Sequence, residues 1–131
     1  MATEQIYYPT YLDAVSAHFD TMKRFKETRY GIFERALIES ALARPRHAAI
    51  YENADIFRQA STLCFGFIKN HPWMDGNKRT ATAITEGFLL INGWRLHYSD
   101  QEIIDLSLAI ESNLYGLNEI EAWYRQHSTA R

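Results

Sequence analysis

Apolar residues recur at helical spacing along most of the chain, and polar residues collect at the breaks. From about 11 to 26, Leu12, Val15, Phe19 and Met22 are three and four apart, which predicts a helix with that stripe turned inward. Thr10 with Asp13 reads as its capping box. His18 lies beside the stripe and reads as a packed or half-exposed helix residue rather than a catalytic one. A second helix is expected over about 31–43 through Leu37, Ile38, Ala41 and Leu42. Pro45 is expected just beyond its end, since a proline has no N–H and crowds the preceding turn. Residues 44–53 then read as a ten-residue connector, extended in part and the only plausible hairpin. From 55 to 69 the stripe Ile56, Ala60, Leu63, Phe67 is joined by Phe57, Cys64 and Ile68, so this helix should be buried on more than one face. Beyond a polar loop, Ala81, Ile84, Phe88 and Ile91 predict a helix from about Asn77, stopped by Gly93. Trp94 to Tyr98 is a short connector. Ser99 with Glu102 reads as the capping box of a helix bearing Ile103, Leu106 and Ile110, and Asn118 with Glu121 as that of a terminal helix bearing Ile120, Trp123 and Tyr124. Ile6-Tyr7-Tyr8-Pro9 is an extended lead-in, open to pairing with a strand or to packing down. The fold class is all-α, a compact bundle of about six helices.

Composition narrows the function without naming it. The chain has 131 residues, the size of one ordinary domain, and 1–131 is read as a single one. Apolar residues at 47% and charged ones at 23% argue against disorder. A net charge of −2 speaks against direct nucleic-acid binding. Lys23, Arg24, Lys26 and Arg29 read as a solvated cationic face. The single cysteine, Cys64, has no internal partner and reads as core packing in a reducing compartment. No apolar run reaches about 18 residues and no charged-then-apolar leader opens the chain, so neither a membrane span nor a signal peptide is expected. The expected location is cytoplasmic.

The reactive side chains concentrate in Asn70-His71-Pro72-Trp73-Met74-Asp75-Gly76-Asn77-Lys78-Arg79-Thr80-Ala81-Thr82, between two apolar helices. His71 precedes a proline and is pushed out of the right-handed helical region, which turns its imidazole off the helix axis. Asp75-Gly76-Asn77 predicts a tight turn. Lys78 and Arg79 then fall in the first turn of the next helix, where the macrodipole disfavours cations. A phosphate would offset that, because free N–H groups at a helix start, the Gly76 backbone and two cations form an anion site. His71 is a candidate base and Asp75 a candidate Mg²⁺ ligand. Each also has a plain reading: His71 as a C-terminal cap, Asp75 as a turn former, Asn77 as a helix cap.

The string resembles the signature of the Fic/Doc family, His-Pro-Phe-x-Asp/Glu-Gly-Asn-x-Arg-x-x-Arg, at His71, Pro72, Asp75, Gly76, Asn77 and Arg79, with Trp73 replacing the phenylalanine. Thr82 stands where the adenylylating branch has its last arginine. The run from Asn77 to Ala81 is similar to the Doc (death-on-curing) branch, as are Leu37 to Pro45 and Leu90 to Trp94. The resemblance implies a protein kinase toxin that uses ATP and Mg²⁺ to phosphorylate a hydroxyl of the translation elongation factor EF-Tu. Catalysis would fall to His71, Asp75 and Arg79. Gly76, Asn77, Lys78 and Arg79 would hold the nucleotide phosphates, and Asp75 the metal. It also implies a flap over 44–53 that docks the target through Arg44, Arg46, Ile50 and Tyr51, and a Phd-like antitoxin whose disordered tail folds on binding. The alternatives are a protein adenylyltransferase and an inactive module that binds a nucleotide or a partner.

Overall fold

The computed structural model describes residues 5–26 and 33–131. Among these the helices are α1 (Tyr11–Arg24), α2 (Arg35–Glu52), α3 (Ile56–Asn70), α4 (Asn77–Ile91), α5 (Asp100–Glu111) and α6 (Leu117–Gln126), with two three-residue strands, β1 (Trp94–Leu96) and β2 (Ser128–Ala130). The expected all-α bundle is therefore the observed class. Gly31, expected at the start of the second helix, and Arg29 lie outside the described residues.

The central element is α3, packed against α2, α4 and α6. It is apolar on several sides, and Phe57, Ala60, Leu63, Cys64, Phe67 and Ile68 are all buried. Cys64 is fully buried and unpaired, as expected of core packing, and burial pushes its thiol up to about 11. The capping boxes of α1 and α5 form as expected. Thr10 Oγ1 accepts the Asp13 N–H at 3.2 Å while Asp13 Oδ2 accepts the Thr10 N–H at 2.8 Å. Ser99 and Glu102 reciprocate at 3.1 and 2.8 Å. The cap of α6 falls earlier than expected: Glu119 accepts the Gly116 N–H at 2.7 Å, and Asn118 instead accepts from Arg58.

Three further expectations are corrected. The stripe Leu12, Val15, Phe19, Met22 is only in part the buried side of α1: Met22 is buried and Val15 packs against the core, but Leu12 is 72% exposed and Phe19 45%, and Ala14, His18 and Thr21 face inward. The partner of α1 is a polar loop as well as an apolar helix, so hydropathy alone picks the inner side incompletely.

The flap expected over 44–53 is helix. α2 runs through Pro45 to Glu52, so Arg44, Arg46, Ile50 and Tyr51 sit on its last turns. An interior proline costs a helix about 3 kcal/mol. Burial of Ile38, Ala41, Pro45 and Ala48, a stripe at helical spacing through the proline, supplies the packing that outweighs this penalty. Gly66 of α3 permits the close approach, since a Cβ there would lie 2.7 Å from Arg44 Cδ and 3.3 Å from Ala41 Cα. Arg44 stacks over Phe65 and Arg46 over Tyr8, whereas Ile50 and Tyr51 are exposed.

The connector after α4 contains a strand. β1 pairs antiparallel with β2, Arg95 opposite Thr129, a contact between residues too distant in sequence for a local pattern to reveal. The lead-in at residues 6–9 packs down: the Asn92 side chain accepts the Tyr7 N–H and donates to the Tyr7 carbonyl, both at 2.8 Å. Tyr8 stacks on Phe88. No helix among the described residues is long and apolar enough to cross a membrane.

Candidate active site

The loop at 71–76 joins the two best-packed helices, so both of its ends are held. At its start α3 stops on His71, a left-handed residue at φ 51°, ψ 55°, whose N–H reaches the Phe67 carbonyl at 3.3 Å. The following proline excludes the right-handed helix, and the left-handed region is the turn geometry left to it. His71 is exposed. Two further bonds tie this corner to α2: Asn70 Nδ2 donates to the Leu37 carbonyl at 3.0 Å, and the Glu34 N–H donates to the Pro72 carbonyl at 3.1 Å.

Trp73 turns inward and is 2% exposed. Its indole lies between Phe67, at 5.6 Å and 11°, and His18 of α1, at 4.5 Å and 8°. Its backbone is clasped by Asn77, whose Oδ1 accepts the Trp73 N–H at 3.0 Å and whose Nδ2 donates to the Trp73 carbonyl at 2.8 Å. Asn77 is thus not the cap of α4. The cap is Gly76, left-handed at φ 76°, which has no side chain to bond the helix start. Only glycine fits there. Besides the backbone strain, a Cβ would stand 2.7 Å from Met22 Sδ. Asp75 Oδ1 accepts the Gly76 N–H at 2.8 Å, so its carboxylate lies half-buried in the turn.

The two cations of the first helical turn diverge. Lys78 Nζ meets Glu111 Oε2 of α5 at 3.0 Å. The Arg79 guanidinium lies 3.9 Å from the centroid of Phe25, beyond the end of α1. These contacts supply the offset that cations at a helix start require. Both partners of the Lys78 pair are well exposed, so it is weak enough to exchange for another anion. Thr82 spends its hydroxyl on its own helix, 3.2 Å from the Lys78 carbonyl and 3.0 Å from that of Arg79.

His18, expected as a packed or half-exposed helix residue, is packed beneath the loop. It is 2% exposed, its Nδ1 lies 3.2 Å from Thr80 Oγ1, and its Nε2 has no partner among the described residues. Burial pushes its pKa below the usual histidine value, and the Asp75 carboxylate opposes this by less. The available signal was its spacing, at i+4 from Ala14 and i−4 from Met22, which puts it on the true inner side of α1.

What the arrangement can do follows from these placements. The glycine-capped start of α4 offers N–H groups to an anion, and Asp75 offers one carboxylate beside it. Mg²⁺ typically takes one or two protein carboxylates and draws its remaining ligands from phosphates and water. No cluster of three or more metal-ligating side chains exists among the described residues. A second concavity, of about 250 Å³, lies apart from the loop, between the lead-in, α1 and α4. Tyr8, Ala17, Ala83, Ile84, Gly87 and Phe88 are among its lining residues.

The sequence model of the Fic/DOC family matches residues 8–89, which takes in α1 to α3, the whole loop and all but the last two residues of α4. Toxin Doc of Mycolicibacterium smegmatis (strain ATCC 700084 / mc(2)155) is 39% identical over 62 residues, covering 46% of this chain and 48% of that protein. The match thus spans about half the length of that relative. With the signature residues standing on one loop between two packed helices, the chain belongs to the Fic/Doc family.

Proposed function

We propose that this protein is a Doc-type toxin of a toxin–antitoxin pair. It acts in the cytoplasm as a protein kinase that moves the γ-phosphate of ATP to a hydroxyl of the elongation factor EF-Tu and so arrests translation. The observation that carries the reading is the loop itself: an exposed histidine at one end and, at the other, a helix start with glycine at its cap position beside a half-buried carboxylate. His71 takes the proton of the target hydroxyl as its oxygen attacks phosphorus, and ADP leaves. The α4 N–H groups with Gly76 receive phosphate oxygens, and Arg79 and Lys78 swing from Phe25 and Glu111 to neutralise them. Mg²⁺, held by Asp75, would draw charge from the phosphates when bound. Asn77 serves this site by holding the turn, since both of its amide atoms engage Trp73.

Thr82 favours γ- over α-phosphate transfer. It places no cation where the adenylylating branch has one, and its hydroxyl is closed onto its own helix. The antitoxin would be Phd-like, its tail folding to a helix in the apolar cleft between α1 and α4, a mode that needs such a groove.

The test is label transfer to purified EF-Tu and to a cell lysate from ATP labelled at the γ- or the α-phosphate, with His71→Ala as control. Label from γ alone, lost in His71→Ala, is expected. Label from α would make the protein an adenylyltransferase, and label from neither would leave a module that only binds.

A further inference from the structure

We propose that His18 is the positioning residue of the 71–79 loop, joining the two ends of its turn from below and so setting where Asp75 and the start of α4 stand. This rests on the reading of the loop as a transfer site. The geometry is specific. The imidazole is stacked nearly parallel on Trp73, before the turn, and bonded to Thr80, in the first helical turn after it. One α1 side chain therefore spans Met74, Asp75, Gly76 and Asn77. Its Cε1 stands 3.8 Å from where a Gly76 Cβ would be, and the Asp75 charge is felt at the ring, so the turn is folded directly over it.

Packing alone explains this poorly. A phenylalanine would stack on Trp73 without burying a polar atom, whereas His18 buries an Nε2 that has no partner among the described residues, a net cost to stability. What the imidazole adds is the bond to Thr80, the link between the stacked indole and α4. The partners themselves are held elsewhere: Trp73 stacks on Phe67 of α3, and Asn77 clasps its backbone. Without His18 the loop should keep its path but lose its registration against α1.

The test compares the wild-type chain with His18→Phe, which keeps the stack and removes the bond, with Thr80→Val, which removes the same bond from the other side, and with the double variant. Thermal unfolding, amide exchange and steady-state kinetics of transfer are measured on each. Both single variants should unfold cooperatively near the wild-type temperature while the amides of 73–79 exchange faster and those of α3 and α5 do not. Their kcat should fall on the order of 10–100-fold with little change in KM for ATP, as for a misplaced reacting group. The double variant should fall no further than either single one, because they break one bond. Unchanged loop exchange and kcat in a folded His18→Phe or Thr80→Val would overturn the proposal, as would faster exchange spread evenly over the chain. If the wild type transfers no label, the kinase reading fails, and the exchange measurement still decides the role of His18.

Discussion

At the scale of single residues, the loop is held by polar contacts that hydropathy does not register. Asn77 is 5% exposed and occupies both backbone groups of Trp73. Asn77→Ala should cost about 1–3 kcal/mol, the penalty for stranding buried polar groups, read as a lower urea midpoint. An unchanged midpoint would mean that water replaces the amide. His18 sets a pH dependence. Its pKa is lower in the folded than in the unfolded protein, so as pH falls the unfolded chain takes up the proton first. Stability from this group is complete above the unfolded value of about 6.5 and declines below it, until the folded ring protonates too. The unfolding temperature should therefore drop between about pH 7 and 5, with a shallower drop in His18→Phe. Equal slopes would assign the dependence to other groups. The signature side chains were legible from sequence because their spacing within one short loop is local. The role of His18 was not, because its partners Trp73 and Thr80 stand more than fifty positions away.

At the scale of elements, α2 marks where local rules mislead. Proline read as a stop and the residues after it as a flap, yet the stripe Ile38, Ala41, Pro45, Ala48 continues to Glu52. Small residues made that stripe faint, and they are what lets α2 lie against Gly66 of α3. Pro45→Ala should restore a bond to the Ala41 carbonyl and raise stability, by up to about 3 kcal/mol less the loss of the buried ring, seen as a higher unfolding temperature. A lower temperature would mean that the pyrrolidine packing matters more than the missing N–H. Gly66→Val should act oppositely, since its branches meet the Ala41 backbone, and should destabilise by about 1–3 kcal/mol. Capping boxes, by contrast, were readable at α1 and α5, where both partners lie three residues apart.

At the scale of the whole molecule, the loop at 71–76 and the apolar cleft are separate surfaces sharing α1 and α4. Under the proposed function, a charge in the cleft should therefore weaken antitoxin binding and spare the chemistry. Gly87→Glu suits this, since no atom lies within 4 Å of its added Cβ. Label transfer should persist in this variant while an antitoxin peptide loses affinity; equal loss of both would join the two surfaces. The sequence by itself determined the helical class, the ends of α3 and α4, and the identity of the loop, because helix periods, X-Pro restrictions and glycine turns act over a few residues. Only the tertiary structure decided which side of α1 faces inward, that α2 runs through Pro45, that β1 pairs with β2, and where Lys78 and Arg79 rest. Each of these depends on which surfaces meet after collapse, and burial against a particular neighbour outweighs the local preference of the segment.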